Sequence, residues 1–425
     1  MRFALAAVLA ALCATVAAQG ADASRFVRYG VHDDAWLRDG PGTLEQRLDE
    51  LNALGVELVR YTLRWDEVAA KRPANPRSHQ DSAYAWVEPD RVLAGLRDRG
   101  IGAVVTIWGA PAWANGGRGP QAAPGSGRAM GEFAFAAASR YPWVTFWTVW
   151  NEPNQLRWLS PSSPRAYVRK LLNPAYVSIH AANARAKVGG GVTAPRGNTG
   201  GTSPVAWIRG MAEAGARLDA YAHHPYPIRP GVETPWSGGC SHCETVSMAD
   251  LDRLIGEVTR AFGPKRIWLT EYGYQSNPPD TWLGVSPVLQ ALYHAAAALR
   301  AYQARRVDMQ IHFMVQDDGL GEGWQSGLRW SSGVAKPAYD AFRLPLAQVA
   351  RTGGAVTVWG QVRPRTGKQL YRLQQLRGGT WRWVHGTRTT DWRGVFTRTV
   401  RAAPGSQLRV WSPRDASFGV VLTAR

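Results

Sequence analysis

Two glutamates close apolar runs in this chain. Residues 144–149 lead into Trp150-Asn151-Glu152-Pro153-Asn154, and residues 267–270 lead into Glu271-Tyr272-Gly273. A buried strand that ends in a glutamate sets a charge at the edge of a packed core, where the carboxylate loses hydration and needs partners. Two such strands imply a carboxylate pair facing one cleft. Paired carboxylates are the working groups of glycosidic bond hydrolysis.

Such a pair needs strands that deliver both groups to the same end of a sheet. From residue 25 to about 350, short β-branched or aromatic runs alternate with amphipathic stretches. That alternation predicts a parallel sheet with crossover helices. The predicted strands are 26–31, 56–61, 102–107, 144–149, 187–191, 219–223, 267–270 and 309–313. Helices are predicted over 44–54, 92–99, 164–184, 204–214, 249–261 and 287–305. Gly55, Gly100 and Gly215 follow helical stretches where a left-handed cap is wanted. Eight strands point to a closed (β/α)8 TIM barrel over residues 24–348, with an open doubly wound sheet as the rival. No Gly-x-Gly-x-x-Gly turn follows the first strand, so dinucleotide binding has no support. After residue 350 the helices stop. Short strands at 356–362, 369–375, 381–384, 394–400 and 407–411 predict a small antiparallel β-sandwich, a basic accessory domain over 349–425.

In a TIM barrel the active site lies at the C-terminal ends of the strands. This selects Arg60 after the second strand, Trp108 and Pro111-Ala112-Trp113 after the third, and Asn151 and Glu152 after the fourth. It also selects His223, His224 and Tyr226 after the sixth, Glu271 after the seventh, and Gln316, Asp317 and Asp318 after the eighth. The pattern resembles clan A of the retaining glycoside hydrolases. Its Trp-Asn-Glu-Pro-Asn, Pro-Ala-Trp and His-Pro-Tyr motifs look most like family 39 and its exopolysaccharide-hydrolase relatives, over residues 25–345.

The resemblance implies roles. Glu152 would protonate the leaving oxygen and then deprotonate water. Glu271 would attack the anomeric carbon and form a covalent glycosyl-enzyme. Arg60, whose fork matches a carboxylate, and Tyr226 would support Glu271. Asn151 would bind the sugar 2-hydroxyl, and His224 would shape the site. His223 reads as a satisfied core histidine. One departure from the clan is the end of the eighth strand, where an aromatic commonly lies beneath the reactive sugar. Here Phe313 fills that place, or Trp324 reaches in.

The chain has 20 tryptophans. Sugars stack their C–H faces on aromatic rings, so Trp65, Trp113, Trp158, Trp236, Trp282 and Trp324, in predicted strand-to-helix loops, are candidate platforms. Trp143, Trp147 and Trp268 read as core.

Residues 1–23 read as a secretory signal peptide, with Arg2 before the apolar stretch 3–18 and small residues at Val16-Ala17-Ala18 and Ala21-Asp22-Ala23. No later run is long enough to span a bilayer, so a secreted protein without a retained membrane span is expected. Cys240 and Cys243 are then a disulfide in a short loop, since a structural zinc site needs four ligands. No metal or other cofactor is called for. The net charge is +18. Residues 351–425 hold fourteen Lys and Arg against Asp391 and Asp415, a net of +12. The functional reading is a module that grips an acidic glycan or wall polymer. The bland one is coding bias, since Arg outnumbers Lys 44 to 6. The expected partner is a poly- or oligosaccharide, acidic under the functional reading. Nucleic acid is not expected, and a monomer is. Two rivals share the residues: a catalytically silent glycan-binding, wall-associated protein, and a transglycosylase.

Overall fold

The computed structural model describes residues 24, 26–197, 200–240, 243–319, 323–364 and 367–425. The expected signal peptide lies outside them.

Eight parallel strands close into a barrel: β1 (Arg28–His32), β2 (Leu58–Arg64), β3 (Gly102–Trp108), β4 (Phe146–Val149), β5 (Lys187–Thr193), β6 (Ala220–His223), β7 (Arg266–Leu269) and β8 (Val307–Phe313). Each pairs with its sequence neighbours, and β8 closes onto β1, pairing Arg28 with Met309 and His32 with Phe313. The expected strands lie within about three residues of these.

The helices between them begin and end where local chemistry dictates. Thr43 and Gln46 form a reciprocal capping box at the start of Leu44–Leu54, and Gly55 ends that helix at φ 82°. Gly100 and Gly215 adopt the same left-handed conformation. The expected helix at 164–184 is interrupted by a π-helical turn, Val168–Leu172. A helix not singled out from the sequence, Gly127–Arg140, packs an alanine-rich face into the core.

Inside the barrel, Leu58, Val104, Val192, Ala220, Ala222, Trp268, Met309 and Ile311 fill the lower interior. Gly189 is required there, because a Cβ at that position would sit 2.6 Å from the Trp268 ring. Trp147 and Trp268 are core as expected, whereas Trp143 keeps 36 % of its surface in solvent. Above this layer the interior turns polar, with Arg60 bonded to Thr106 and Thr106 to Thr148.

The C-terminal region is two antiparallel sheets. One has the order β9 (Leu346–Thr352), β10 (Ala355–Gln361), β14 (Val395–Arg401). The other has the order β12 (Thr380–Trp383), β11 (Leu370–Arg377), β15 (Gln407–Ser412), β16 (Ser417–Phe418). To it, β13 (Arg388–Thr389) pairs with β11 and β17 (Leu422–Thr423) with β15. Val358, Phe396, Tyr371, Leu373, Leu408 and Val410 form a second core between them. Tyr371 and Phe396, one from each sheet, stack at 3.9 Å. β9, β13, β16 and β17 were not foreseen. Trp359 turns out of this core to pack on Tyr302 of the barrel at 5.4 Å. Among the described residues, no helix is long and apolar enough to cross a membrane.

Candidate active site

A cleft of about 860 Å³ opens at the C-terminal ends of the barrel strands. Both glutamates line it.

Glu152 is put there by unusual backbone. Trp150 has φ 71° and Glu152 φ 38°, a region that side chains other than glycine seldom adopt. The neighbours compel it. The buried Trp150 donates its backbone N–H to Ile107 at 2.8 Å and its indole N–H to the Trp158 carbonyl at 2.6 Å. Asn154, fully buried, accepts from the Ala194 N–H at 2.9 Å and donates to the Thr202 carbonyl at 3.0 Å. The Trp and the last Asn of the motif therefore clamp a loop whose middle residues face the cleft.

Glu271 is buried beneath the same cleft. Arg60, wholly buried on β2, donates to Glu271 Oε1, to Asn151 Oδ1 at 2.8 Å and to Thr106 Oγ1 at 2.9 Å. With Oδ1 engaged, the amide NH2 is the group Asn151 retains for a ligand. The Tyr226 hydroxyl donates to Glu271 Oε2 at 3.0 Å. Burial alone would raise the Glu271 pKa. His224 and Arg60, with a hydrogen bond from His32, outweigh it and hold the carboxyl well below the usual carboxylate range. Burial and the charges of Glu271 and Glu152 push the Tyr226 hydroxyl well above its ordinary value, so it stays a donor.

His224 joins the two carboxylates. Its Nδ1 lies 3.0 Å from Glu152 Oε1 and 3.5 Å from Glu271 Oε2. Nδ1 thus stands within hydrogen-bonding reach of both carboxylates. Ligand atoms of Glu152, His224 and Glu271 all lie within 4.8 Å of one another, a spacing that could hold a cation. The donor chemistry argues against one. His224 Nδ1 is engaged with Glu152, and Glu271 already serves Arg60 and Tyr226.

The expected residues divide cleanly. Asn151, Glu152, Tyr226, Glu271, Phe313 and Trp324 line the cleft. Arg60 and His224 lie beneath it in contact with the carboxylates. Trp113 does not join them. Its indole N–H is bonded to the Ala69 carbonyl at 2.7 Å, and its ring packs edge-on against Trp65 at 6.0 Å. Of the candidate platforms, only Trp158 and Trp324 reach the cleft. Trp65 is core, while Trp236 and Trp282 are exposed elsewhere. Phe313 and Trp324 share the place left open after the eighth strand. Tyr226 packs on both, at 6.3 and 5.3 Å, and their own rings are 6.0 Å apart. His223 is a core histidine, bonded to Thr193 and Val246, with burial driving its pKa down to about 3. Asp317, selected after the eighth strand, is instead buried in an ion pair with Lys336 at 2.6 Å. Cys240 and Cys243 are disulfide-bonded, with Cα atoms 5.5 Å apart.

His32 and Asp34 were missed. His32 Nδ1 lies 3.0 Å from the Arg60 guanidinium and 3.3 Å from Glu271, while Nε2 donates to Asp34 Oδ2 at 3.1 Å. Burial and Arg60 oppose a charge on His32, but Asp34 and Glu271 outweigh them and raise its pKa. They follow the same positional rule as the other site residues, since they stand at the end of β1.

No protein-family model matches the sequence, and no curated protein matches it. The fold is similar to solved structures. One is a family 39 glycoside hydrolase from the gut symbiont Bacteroides cellulosilyticus WH2, at 18 % identity and TM-score 0.58, covering 89 % of this chain and 81 % of that one. Another is a glucosidase from Croceicoccus marinus, at 14 % identity and TM-score 0.62, covering 92 % and 96 %. A third is a bifunctional glucanase-xylanase from a metagenome library, at 12 % identity and TM-score 0.52, covering 95 % and 97 %. At these identities the likeness is one of fold.

Proposed function

We propose that this protein is a secreted retaining glycoside hydrolase acting on a poly- or oligosaccharide. The observation that carries the reading is the carboxylate pair. Its facing oxygens lie within 4.8 Å of each other. Retaining enzymes place their carboxyl groups about 5–5.5 Å apart, whereas inverting enzymes leave about 6.5–9.5 Å for a water. The fold likeness to glycoside hydrolases supports the reaction class, and the disulfide is compatible with export.

In this reading Glu271, kept ionised by Arg60, Tyr226 and His224, attacks the anomeric carbon. Glu152 gives a proton to the departing oxygen. Glu152 then takes a proton from the water that releases the sugar. Asn151 offers its amide to the hydroxyl beside the reacting carbon. Phe313, Trp324 and Trp158 offer apolar faces to sugar rings. A transglycosylase would use the same groups and differ in excluding water.

Treatment with a panel of 2-deoxy-2-fluoroglycosyl inactivators should add one glycosyl mass to the intact protein, on the peptide bearing Glu271. Glu271→Gln should take up none. Turnover yielding the inverted anomer, followed by NMR, would sink the covalent mechanism. A protein silent to every inactivator and substrate would leave the glycan-binding alternative.

A further inference from the structure

We propose that the outer face of the C-terminal sandwich is a binding surface for carboxylated polysaccharide. Residues two apart on a strand share a face. On β11 and β15, Tyr371, Leu373, Leu408 and Val410 point into the second core. The opposite face is assembled by register. Arg372 pairs with Trp411, Gln374 with both Trp383 and Arg409, and Trp411 with Phe418. Trp381, two residues before Trp383, shares it.

Aromatic and guanidinium groups interleave across this face. Arg372 lies over the Trp383 ring at 3.6 Å. Arg409 lies over Trp381 at 4.1 Å and Phe418 at 3.8 Å, and its Nε donates to Gln374 at 2.8 Å. Trp383 meets Trp411 edge-on at 5.6 Å yet keeps 41 % of its surface in solvent. A tryptophan that sequence alternation would allow to face the core is thus turned outward.

The face has cations without counter-charge. Residues 351–425 contain only two acids. Asp391 is bonded to Arg393 at 2.8 Å, and Asp415 to Arg343. Neither serves Arg372 or Arg409, and Arg372 Nε is buried with no hydrogen-bond partner among the described residues. Stacking holds each guanidinium against an indole ring, and a guanidinium so held is preorganised to receive a carboxylate. Indole faces beside them suit the C–H faces of sugar rings. A chain of uronic acid residues supplies both chemistries. The choice of glycan over another polyanion rests on the proposed activity of the barrel.

The test is affinity electrophoresis of the full-length protein in gels containing polygalacturonate or dextran. Polygalacturonate should retard the protein at about 50 mM NaCl and release it by about 500 mM, as screening shortens the reach of the charges. Dextran should not retard it. Arg372→Gln/Arg409→Gln should weaken retention by about tenfold, the loss of charge-assisted contacts. Trp383→Ala should weaken it by about threefold, a stacking-sized loss. Arg398→Gln/Arg401→Gln, an equal change of charge on β14 of the other sheet, should have little effect. Thermal melts show that each variant is folded. Equal losses in the two double variants would overturn the proposal in favour of bulk charge. So would unchanged retention of Arg372→Gln/Arg409→Gln, or equal retention by single-stranded DNA or anionic vesicles. Retention is read without turnover, so its failure is separate from failure of the inactivator test.

Discussion

Tyr226 touches the reacting pair through one oxygen, which makes it a clean probe of Glu271. Its hydroxyl donates to Oε2 while its ring packs on Phe313 and Trp324. Tyr226→Phe keeps the ring and removes the donor. A hydrogen bond to a charged group is worth about 1.5–3 kcal/mol, so kcat should fall roughly 10- to 100-fold with little change in melting temperature. Steady-state kinetics on an aryl glycoside checks this, and an unchanged kcat would remove Tyr226 from the chemistry. At this scale Glu152, Glu271, Asn151 and Tyr226 were legible, because each stands at or just past a strand end in a run of distinctive residues. Arg60, expected at the end of the second strand, lies inside β2, which runs on to Arg64. The pairing of His32 with Asp34 was not, since two adjacent acids after a histidine look like any polar turn. Trp113 misled for a related reason. Its Pro-Ala-Trp setting marks a loop after β3, but the direction of its ring depends on Trp65 and Ala69, from a different segment.

The loop carrying Trp324 is held at its base by a buried ion pair. Lys336 donates to Asp317, to Ser276 at 2.8 Å and to the Gln325 carbonyl at 3.0 Å. Asp317 also accepts from the Gly327 N–H at 2.8 Å, and Asp318 from the Trp324 N–H at 2.7 Å. Lys336→Met would strand a buried carboxylate and cost about 3–5 kcal/mol of stability. Asp317→Asn/Lys336→Met should recover much of it. Both Lys336→Met and Trp324→Ala should raise KM, the latter about fivefold for a stacking contact worth about 1 kcal/mol. Each should lower kcat far less. Melting curves and kinetics of the three variants test the link, and an unchanged KM in folded Lys336→Met would break it. The eight barrel strands were legible as short apolar runs, as were six helical stretches between them, whereas Gly127–Arg140 was not singled out. β9 was not, because Leu346–Thr352 follows a helix and reads as the barrel's tail. β16 and β17, at two residues each, are too short to show a period.

The whole molecule should be acid-sensitive, and the sign follows from its buried histidines. Burial drives the His223 pKa to about 3 and the His312 pKa to about 4, and lowers that of His294. Unfolded histidines titrate near 6.5. Between these limits the unfolded chain binds more protons than the folded one, so stability falls as pH drops from about 6.5 toward 4. Glu271 adds to the loss below the ordinary glutamate range. Groups whose pKa is raised oppose it, among them Asp317, Asp340 and Glu88, each pushed up by burial. Asp33, pushed up to about 6 by burial, is most comfortable neutral, and the raised His32 contributes stability at low pH that is lost as pH rises. The downward histidine shifts are the larger ones, so melting temperature should fall from pH 7 to pH 4. His223→Gln should flatten the slope by at most about 1.4 kcal/mol per pH unit. A slope unchanged in that variant would show that His223 protonates freely in the fold.

What the amino-acid order determined by itself was local in origin. Apolar runs specified eight strands and most of the helices between them, glycines marked helix ends, and strand ends nominated the carboxylates. Periodicity reports which residues leave water, and burial of apolar surface is what selects the fold. Tertiary structure decided everything that depends on direction across the barrel. Closure of β8 onto β1 brings His32 to Glu271. The positive-φ turn at Trp150 and Glu152, clamped by Asn154, aims one carboxylate at the other. Register between β11, β12 and β15 turns Trp381, Trp383 and Trp411 to one outward face. Hydrogen bonds and stacked rings act over a few ångströms, between residues far apart in the chain, and no linear pattern records where such contacts meet.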